Sequence, residues 1–283
     1  MLSSDMIRSG AVEALLEALP YISRYVGKTV VVKIGGSIGQ DGTALEDVVT
    51  LGRLGVKPIV VHGGGPVISE WQERMGLETK FVDGRRYTDE QTLDLARMVL
   101  IGKVNSDLVA HLRGLGAKAV GLSGIDGGLI EARLRDPKLG YVGEVVDVDL
   151  TPLRLLADAG YLVVVAPSAA DSEGQPLNVN ADSIAGDVAR ALGTEKLIFF
   201  TDVVGVLDAD GQLISSLTDD QAREMIASGE IKGGMIPKVE ACIRALDTVP
   251  RAHILDGRVR HALLGELFTD AGVGTMITRS SSA

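Results

Sequence analysis

Two lysines, one aspartate and a set of glycine runs carry the chemistry legible in this chain. Lys33 closes the apolar run Val30-Val31-Val32 and is followed, after Ile34, by Gly35-Gly36-Ser37. A cation at the end of a buried strand must reach water or meet an anion. The glycines beyond it let a backbone approach a ligand with its N–H groups free. Ile59-Val60-Val61-His62 repeats the arrangement, ending in Gly63-Gly64-Gly65-Pro66. A third glycine run, Lys232-Gly233-Gly234-Met235, precedes a helix whose first position is expected at Pro237, which puts Lys238 in its first turn. A cation there opposes the helix dipole by roughly half a kcal/mol, and an anion beside it reverses that sign.

Asp182 follows Asn178-Val179-Asn180 and opens a helix whose apolar stripe is Ile184, Val188 and Leu192. It lies off that stripe, where it either complements the helix dipole or faces a ligand. On extended backbone the two asparagines project to one side, so both amides can hold the same polar molecule. Arg85 and Arg86 precede Thr88 and Gln91, which have the spacing of a capping box, and an arginine fork binds a carboxylate through two bonds at once. No Ser/His/Asp or Cys/His pair stands near a motif. Cations, amides and one acid without a covalent nucleophile suit phosphoryl transfer, where charge spreads over the moving group and fixed positive charge is the catalyst.

These residues need strands and helices to place them. Short β-branched runs at residues 30–34, 58–62, 119–122, 161–166 and 196–201 read as strands buried on both faces, with a sixth at 252–255 and a closing strand at 275–278. Helical periodicity covers residues 44–54, 89–112, 183–192 and 259–268. Thr218 and Gln221 signal another capping box, residues 141–148 a hairpin at the sheet edge, and residues 204–214 a second hairpin. Residues 5–25 form an amphipathic helix, or a helix pair broken at Pro20. Two strands ending in glycine runs mark the ligand crevice of an open parallel sheet. Gly27-Lys28-Thr29 imitates the end of a P-loop, but Ile22 stands where that motif needs glycine.

The chain has 283 residues, 46% of them hydrophobic, enough for one large α/β domain or two lobes. A formal net charge of −10 argues against nucleic acid or an anionic membrane as partner. Cys242 is the only cysteine and sits among Ala241, Ile243 and Leu246, so a core position in a reducing compartment is expected. No apolar run approaches the ~18 residues of a membrane span, and a cytoplasmic protein is expected.

VVVKIGGS, VVHGGGP, NVNADSIAG, KLIFFTDVVGVL, GGMIPKVEACIRAL and HALLGELFTDAGVGTMI, in this order, resemble the acetylglutamate kinases of the amino acid kinase family. The resemblance implies an αβα sandwich on a largely parallel eight-stranded sheet and ATP-dependent phosphorylation of the side-chain carboxylate of N-acetyl-L-glutamate. It assigns residues 29–193 to an acyl-amino-acid and dimerisation lobe and 194–283 to a nucleotide lobe. Lys33 and Lys238 match the lysines that stabilise the transferred phosphoryl group, and Asp182 the acid that holds them. Gly64, Gly65, Arg86, Asn178 and Asn180 match substrate-binding positions. Gly35, Gly36, Ser37, Thr201, Asp202, Gly205, Val206, Lys232, Gly233, Gly234 and Met235 match the nucleotide site. Mg2+ would ride on the ATP, with no dedicated protein cage. The segment 1–28 resembles the extra helix of members that form hexamers from dimers and are inhibited by L-arginine. That likeness places an effector site near Lys196, His261, Glu266 and Gly274. Ile34, Ser37, Ile125 and residues 168–171 depart from the family's common pattern. Arg85-Arg86-Tyr87-Thr88 resembles related kinases acting on aminoadipate attached to an acidic carrier protein, which remains the alternative substrate. A non-catalytic arginine sensor on the same fold is the alternative of another class.

Overall fold

The computed structural model describes residues 10–35, 43–82, 84–269 and 272–280. Helix α1 (Ala11–Tyr25) leads into β1 (Thr29–Ile34), α2 (Thr43–Arg53), β2 (Lys57–His62) and α3 (Gly65–Arg74). A small ribbon, β3 (Phe81–Val82) and β4 (Arg85–Arg86), precedes α4 (Glu90–Arg97), a π-helical stretch (Met98–Asn105) and α5 (Ser106–Gly114). Next come β5 (Ala119–Ser123), β6 (Ile130–Leu134), β7 (Val142–Val148), α6 (Thr151–Asp158), β8 (Leu162–Ala166), β9 (Ser168–Ala170), β10 (Pro176–Val179) and α7 (Ala181–Leu192). The rest is β11 (Lys196–Thr201), β12 (Ser216–Thr218), α8 (Asp219–Ser228), α9 (Met235–Ala245), β13 (Ala252–Asp256), α10 (Ala262–Phe268) and β14 (Thr275–Thr278).

The main sheet has eight strands in the order β12-β14-β13-β11-β1-β2-β8-β5. Every pairing is parallel except β13 with β14. The valine runs follow from this architecture, since each strand must bury both faces. Val31, Val61, Val163 and Phe199 pack with Ile184, Val188 and Cys242 of α7 and α9 on one side. Val30, Val32, Val60 and Phe200 pack with Leu45 and Val48 of α2 and Leu263 of α10 on the other. The expected three-layer α/β fold is present, and Cys242 is a core residue whose thiol burial pushes upward.

Some elements differ from expectation. α1 runs through Pro20 as one helix, because the carbonyl its ring leaves unpaired belongs to Leu16, which is exposed to water. The cap of α4 falls one residue later than the Thr88/Gln91 spacing indicated: Asp89 accepts from the Thr92 N–H at 2.8 Å. The helix then widens into the π stretch instead of continuing as a regular α-helix to residue 112. The segment 141–148 is not at the edge of the main sheet; β7 pairs with β6 and β10 in a second small sheet completed by β9. α9 begins at Met235, so Pro237 is inside its first turn, not at its first position. The capping box of Thr218 and Gln221 is present, and residues 206–214 form the second hairpin through the Leu207–Leu213 bridge.

Candidate functional site

β1 and β2 lie side by side with Ile34 opposite His62, so their two glycine runs leave the same edge of the sheet together. β11 flanks β1 on the other side, with Lys33 opposite Phe199, which brings residues after Thr201 to that edge as well. α7 and α9 cover this region and approach each other closely: a Cβ on Gly186 would lie 2.8 Å from the Ala241 carbonyl oxygen. Glycine is therefore required at 186, and the contact aligns the first turns of the two helices.

Asp182 in the first turn of α7 meets both lysines. Its Oδ1 lies 2.8 Å from Lys33 Nζ and its Oδ2 accepts from Lys238 Nζ at 2.9 Å. Side-chain exposure is 6% for Asp182, 8% for Lys33 and 17% for Lys238, so one carboxylate holds two ammonium groups largely out of water. Burial lowers the Lys33 pKa, Asp182 opposes that, and the Lys238 charge adds to the lowering. Burial alone would raise Asp182, but the two lysines together hold it below the usual carboxylate range. The triad carries a net charge of +1 and is poised to accept an anion. Asn180 fixes the acid by capping α7, its Oδ1 accepting from the Asp182 and Ser183 N–H groups at 2.8 and 3.0 Å.

Lys33 and Asp182 line a cleft of about 250 Å³ together with Gly64, Gly65, Arg86, Asn178 and Asn180, and Lys238 reaches Asp182 from outside that lining. Arg86 is buried; it donates to the Gly65 carbonyl at 2.9 Å, to Ser69 Oγ at 2.8 Å and to Gln72 Oε1. Its guanidinium lies over the Phe81 ring at 5.1 Å, and burial lowers its pKa. Asn178 donates to Thr88 Oγ1, which in turn donates to the Arg86 carbonyl oxygen. Thr88, read from spacing as a cap, is thus a tie between the arginine and the asparagine. Ser69 and Gln72, three residues apart on α3, were not expected, and the full burial of Gln72 is seen only in the fold. Arg85 lines the same cleft.

Of the residues expected to meet the nucleotide, Gly35 directly follows β1, whereas Gly36 and Ser37 lie outside the described residues. Thr201 is buried at the end of β11 with Oγ1 3.3 Å from the exposed Asp202. Gly205 and Val206 follow on the same loop, and the Val206 N–H donates to Thr275 Oγ1. Lys232, Gly233, Gly234 and Met235 lead into α9, which carries Lys238.

The four residues expected to form an effector site lie elsewhere. Lys196 opens β11 and Thr201 closes it, so Lys196 sits about 17 Å from the triad's edge of the sheet. Its Nζ is 3.6 Å from Glu266 Oε1, the oxygen that also meets His253 Nδ1 at 2.8 Å. His253 was not anticipated, since a histidine inside a buried strand carries no spacing signal. Burial lowers Lys196 and His253. His261 turns to Asp47 at 2.7 Å, and a Cβ on Gly274 would collide with the Ile254 carbonyl oxygen at 2.2 Å.

Comparison with known proteins joins these observations. Residues 28–256 match the model of the amino acid kinase family. The chain belongs to that family. Among curated relatives, an acetylglutamate kinase from Nostoc sp. is 49% identical over 278 residues, covering 95% of this chain and 94% of its own. Another from Caldanaerobacter subterraneus subsp. tengcongensis is 48% identical, with 93% and 91% covered. Among solved structures, the N-acetylglutamate synthase of Neisseria gonorrhoeae, complexed with coenzyme A and N-acetyl-glutamate, superposes with a TM-score of 0.84 at 29% identity. That match covers 96% of this chain but 64% of the longer synthase chain. Carbamate kinase from Giardia lamblia shares the fold with a TM-score of 0.67 at 16% identity. No helix among the described residues is long and apolar enough to cross a membrane.

Proposed function

We propose that this kinase transfers the γ-phosphoryl group of ATP to the side-chain carboxylate of N-acetyl-L-glutamate, giving N-acetyl-L-glutamyl 5-phosphate and ADP in arginine biosynthesis. The observation that carries the reading is the carboxylate of Asp182 bridging the buried ammonium of Lys33 and the half-buried one of Lys238 beside a small cleft. A carboxylate oxygen of the acceptor forms the new P–O bond as the bond from phosphorus to the β,γ-bridging oxygen breaks, and ADP leaves with that electron pair. Lys33 and Lys238 face the charge that spreads over the phosphoryl oxygens, and Asp182 keeps both aimed without taking part in bond making. The N–H groups of Gly64 and Gly65 bind the acceptor side, Arg86 takes the α-carboxylate, and Asn178 and Asn180 hold the acylamide.

Gly35, Gly36 and Ser37, residues 201–206 and residues 232–235 form the nucleotide side. Both Asp182 oxygens meet a lysine, which favours Mg2+ on the nucleotide's own phosphate oxygens, where it would neutralise charge. Residues 29–193 form the acceptor lobe and 194–283 the nucleotide lobe. In support, β11 to β14 occupy one half of the sheet and β1, β2, β8 and β5 the other. A dimer, extended to a hexamer by α1, with L-arginine acting near Lys196 and Glu266, completes the reading. Leu15, Leu16 and Leu19 on α1 are exposed and supply an apolar face for that contact.

The second reading, aminoadipate or glutamate attached to a carrier protein, draws on Arg85 beside Arg86 in the cleft. Coupled measurement of ADP release decides between them: turnover with free N-acetyl-L-glutamate supports the first, and turnover only with the carrier-bound substrate selects the second. A sensor without catalysis would bind arginine and release no ADP from either.

A further inference from the structure

Beneath the second glycine run lies a buried polar chain to which the reading above assigns nothing. Asn105, the last residue of the π stretch, donates through Nδ2 to the Val164 carbonyl at 3.1 Å and stands 3.2 Å from His62 Nε2. His62 Nδ1 is 2.9 Å from the Gly63 carbonyl oxygen. A carbonyl only accepts, so Nδ1 carries the proton, Nε2 is the acceptor, and the Asn105 amide is its donor. Burial lowers the His62 pKa to about 4, which keeps this neutral tautomer across the physiological range.

The geometry transmits to the cleft. A trans peptide is planar with its C=O and N–H on opposite sides, so anchoring the Gly63 oxygen toward His62 turns the Gly64 N–H away from the ring. Gly63, Gly64 and Gly65 line the cleft, and His62 does not. Among the described residues, neither the Gly64 nor the Gly65 N–H is donated to another protein group. The π stretch also presses on the loop directly: a Cβ on Gly64 would lie 2.5 Å from Leu100 Cδ2. Glycine at 121 leaves room for the same element, because a Cβ there would lie 1.8 Å from Asn105 Oδ1 and displace that side chain. A π turn in a helix is often tied to a functional site, and here its extra residue delivers Asn105 to the loop's support.

We propose that Asn105 is a positioning residue for phosphoryl transfer, acting through His62 to set the Gly63–Gly64 peptide against which the acceptor carboxylate is held. This rests on the kinase reading. The test uses Asn105→Leu, close in size but with no donor, and Gly121→Ala, which drives the Asn105 amide from its seat. Each is compared with wild type, on which turnover of N-acetyl-L-glutamate is measured first. The expected result is kcat lower by about ten- to a hundredfold, the scale of small misplacements in a pre-organised site. KM for N-acetyl-L-glutamate should rise several-fold while KM for ATP stays within about twofold. A smaller folded fraction would lower kcat and leave both KM values alone, and that pattern overturns the proposal, as do unchanged kinetics in both variants. If neither variant folds, the imidazole 15N shifts of His62 in the wild-type enzyme decide, with His62→Gln for assignment. A proton on Nδ1 supports the chain, and a proton on Nε2 overturns it. An inactive wild type would instead remove the kinase reading itself.

Discussion

Replacing Asp182 with asparagine removes one charge and leaves shape nearly unchanged, so it isolates what the carboxylate does for the two lysines. At 2.8 and 2.9 Å each ion contact has a gross attraction of about 6 kcal/mol at an effective dielectric of 20. Desolvation offsets most of this in the intact site, but removing one partner from a buried pair costs about 3–5 kcal/mol because a charge is stranded. Lys33, already lowered by burial, avoids part of that cost by giving up its proton. The variant should therefore fold with reduced stability and have a Lys33 pKa lower than in wild type, since the raising effect of Asp182 is gone. Losing one aligned cation and loosening the other predicts kcat lower by on the order of 10³-fold. Residual activity should rise as pH falls, because protonation restores the Lys33 charge, whereas wild type should hold its rate to higher pH. Coupled ADP release from pH 6 to 9, with thermal unfolding followed in parallel, makes the measurement. A variant with kcat within threefold of wild type, or a residual rate that rises toward alkaline pH, would refute the reasoning.

Lys238→Ala should lower kcat by on the order of 10²-fold, the usual loss for one transition-state charge contact, with thermal stability checked by unfolding; an unchanged rate would exclude that lysine from the mechanism. Arg86→Ala should raise KM for the acyl amino acid and leave KM for ATP nearly constant in steady-state kinetics, although it also frees the buried Gln72 and the half-buried Ser69. His62, at about 4 in the folded chain against ~6.5 unfolded, makes the unfolded state the stronger proton binder in between. Its contribution is fully present above pH 6.5 and is lost as pH falls through about 4, a loss of about 3 kcal/mol. Urea unfolding of wild type and His62→Gln at pH 7 and 4.5 should show less acid sensitivity in the variant.

Much of this arrangement was readable because buried parallel strands write themselves as unbroken β-branched runs, and a glycine run after such a strand has few other uses. The convergence of Lys33, Asp182 and Lys238 was not readable from spacing alone. It depends on α7 and α9 packing at Gly186, a contact between residues 55 apart in sequence. The family resemblance implies those roles, and the packing of the two helices sets the distances. The π stretch was hidden because a regular apolar stripe looks the same whether one turn is widened or not. Ser69 and Gln72 were hidden because their partner Arg86 reaches them from another element. The small sheet of β6, β7, β9 and β10 mixes strand directions over short segments, a pattern that alternation in one strand does not announce.

In the proposed mechanism both ammonium groups act on one phosphoryl group. A crystal structure with N-acetyl-L-glutamate, Mg2+ and a non-hydrolysable ATP analogue tests it most directly. The account predicts Lys33 Nζ and Lys238 Nζ each within hydrogen-bond distance of γ-phosphoryl oxygens, with Asp182 still between them and no direct contact from Asp182 to the phosphorus group. A γ-phosphoryl group bound away from either lysine, or a nucleotide seated at a different edge of the sheet, would contradict it.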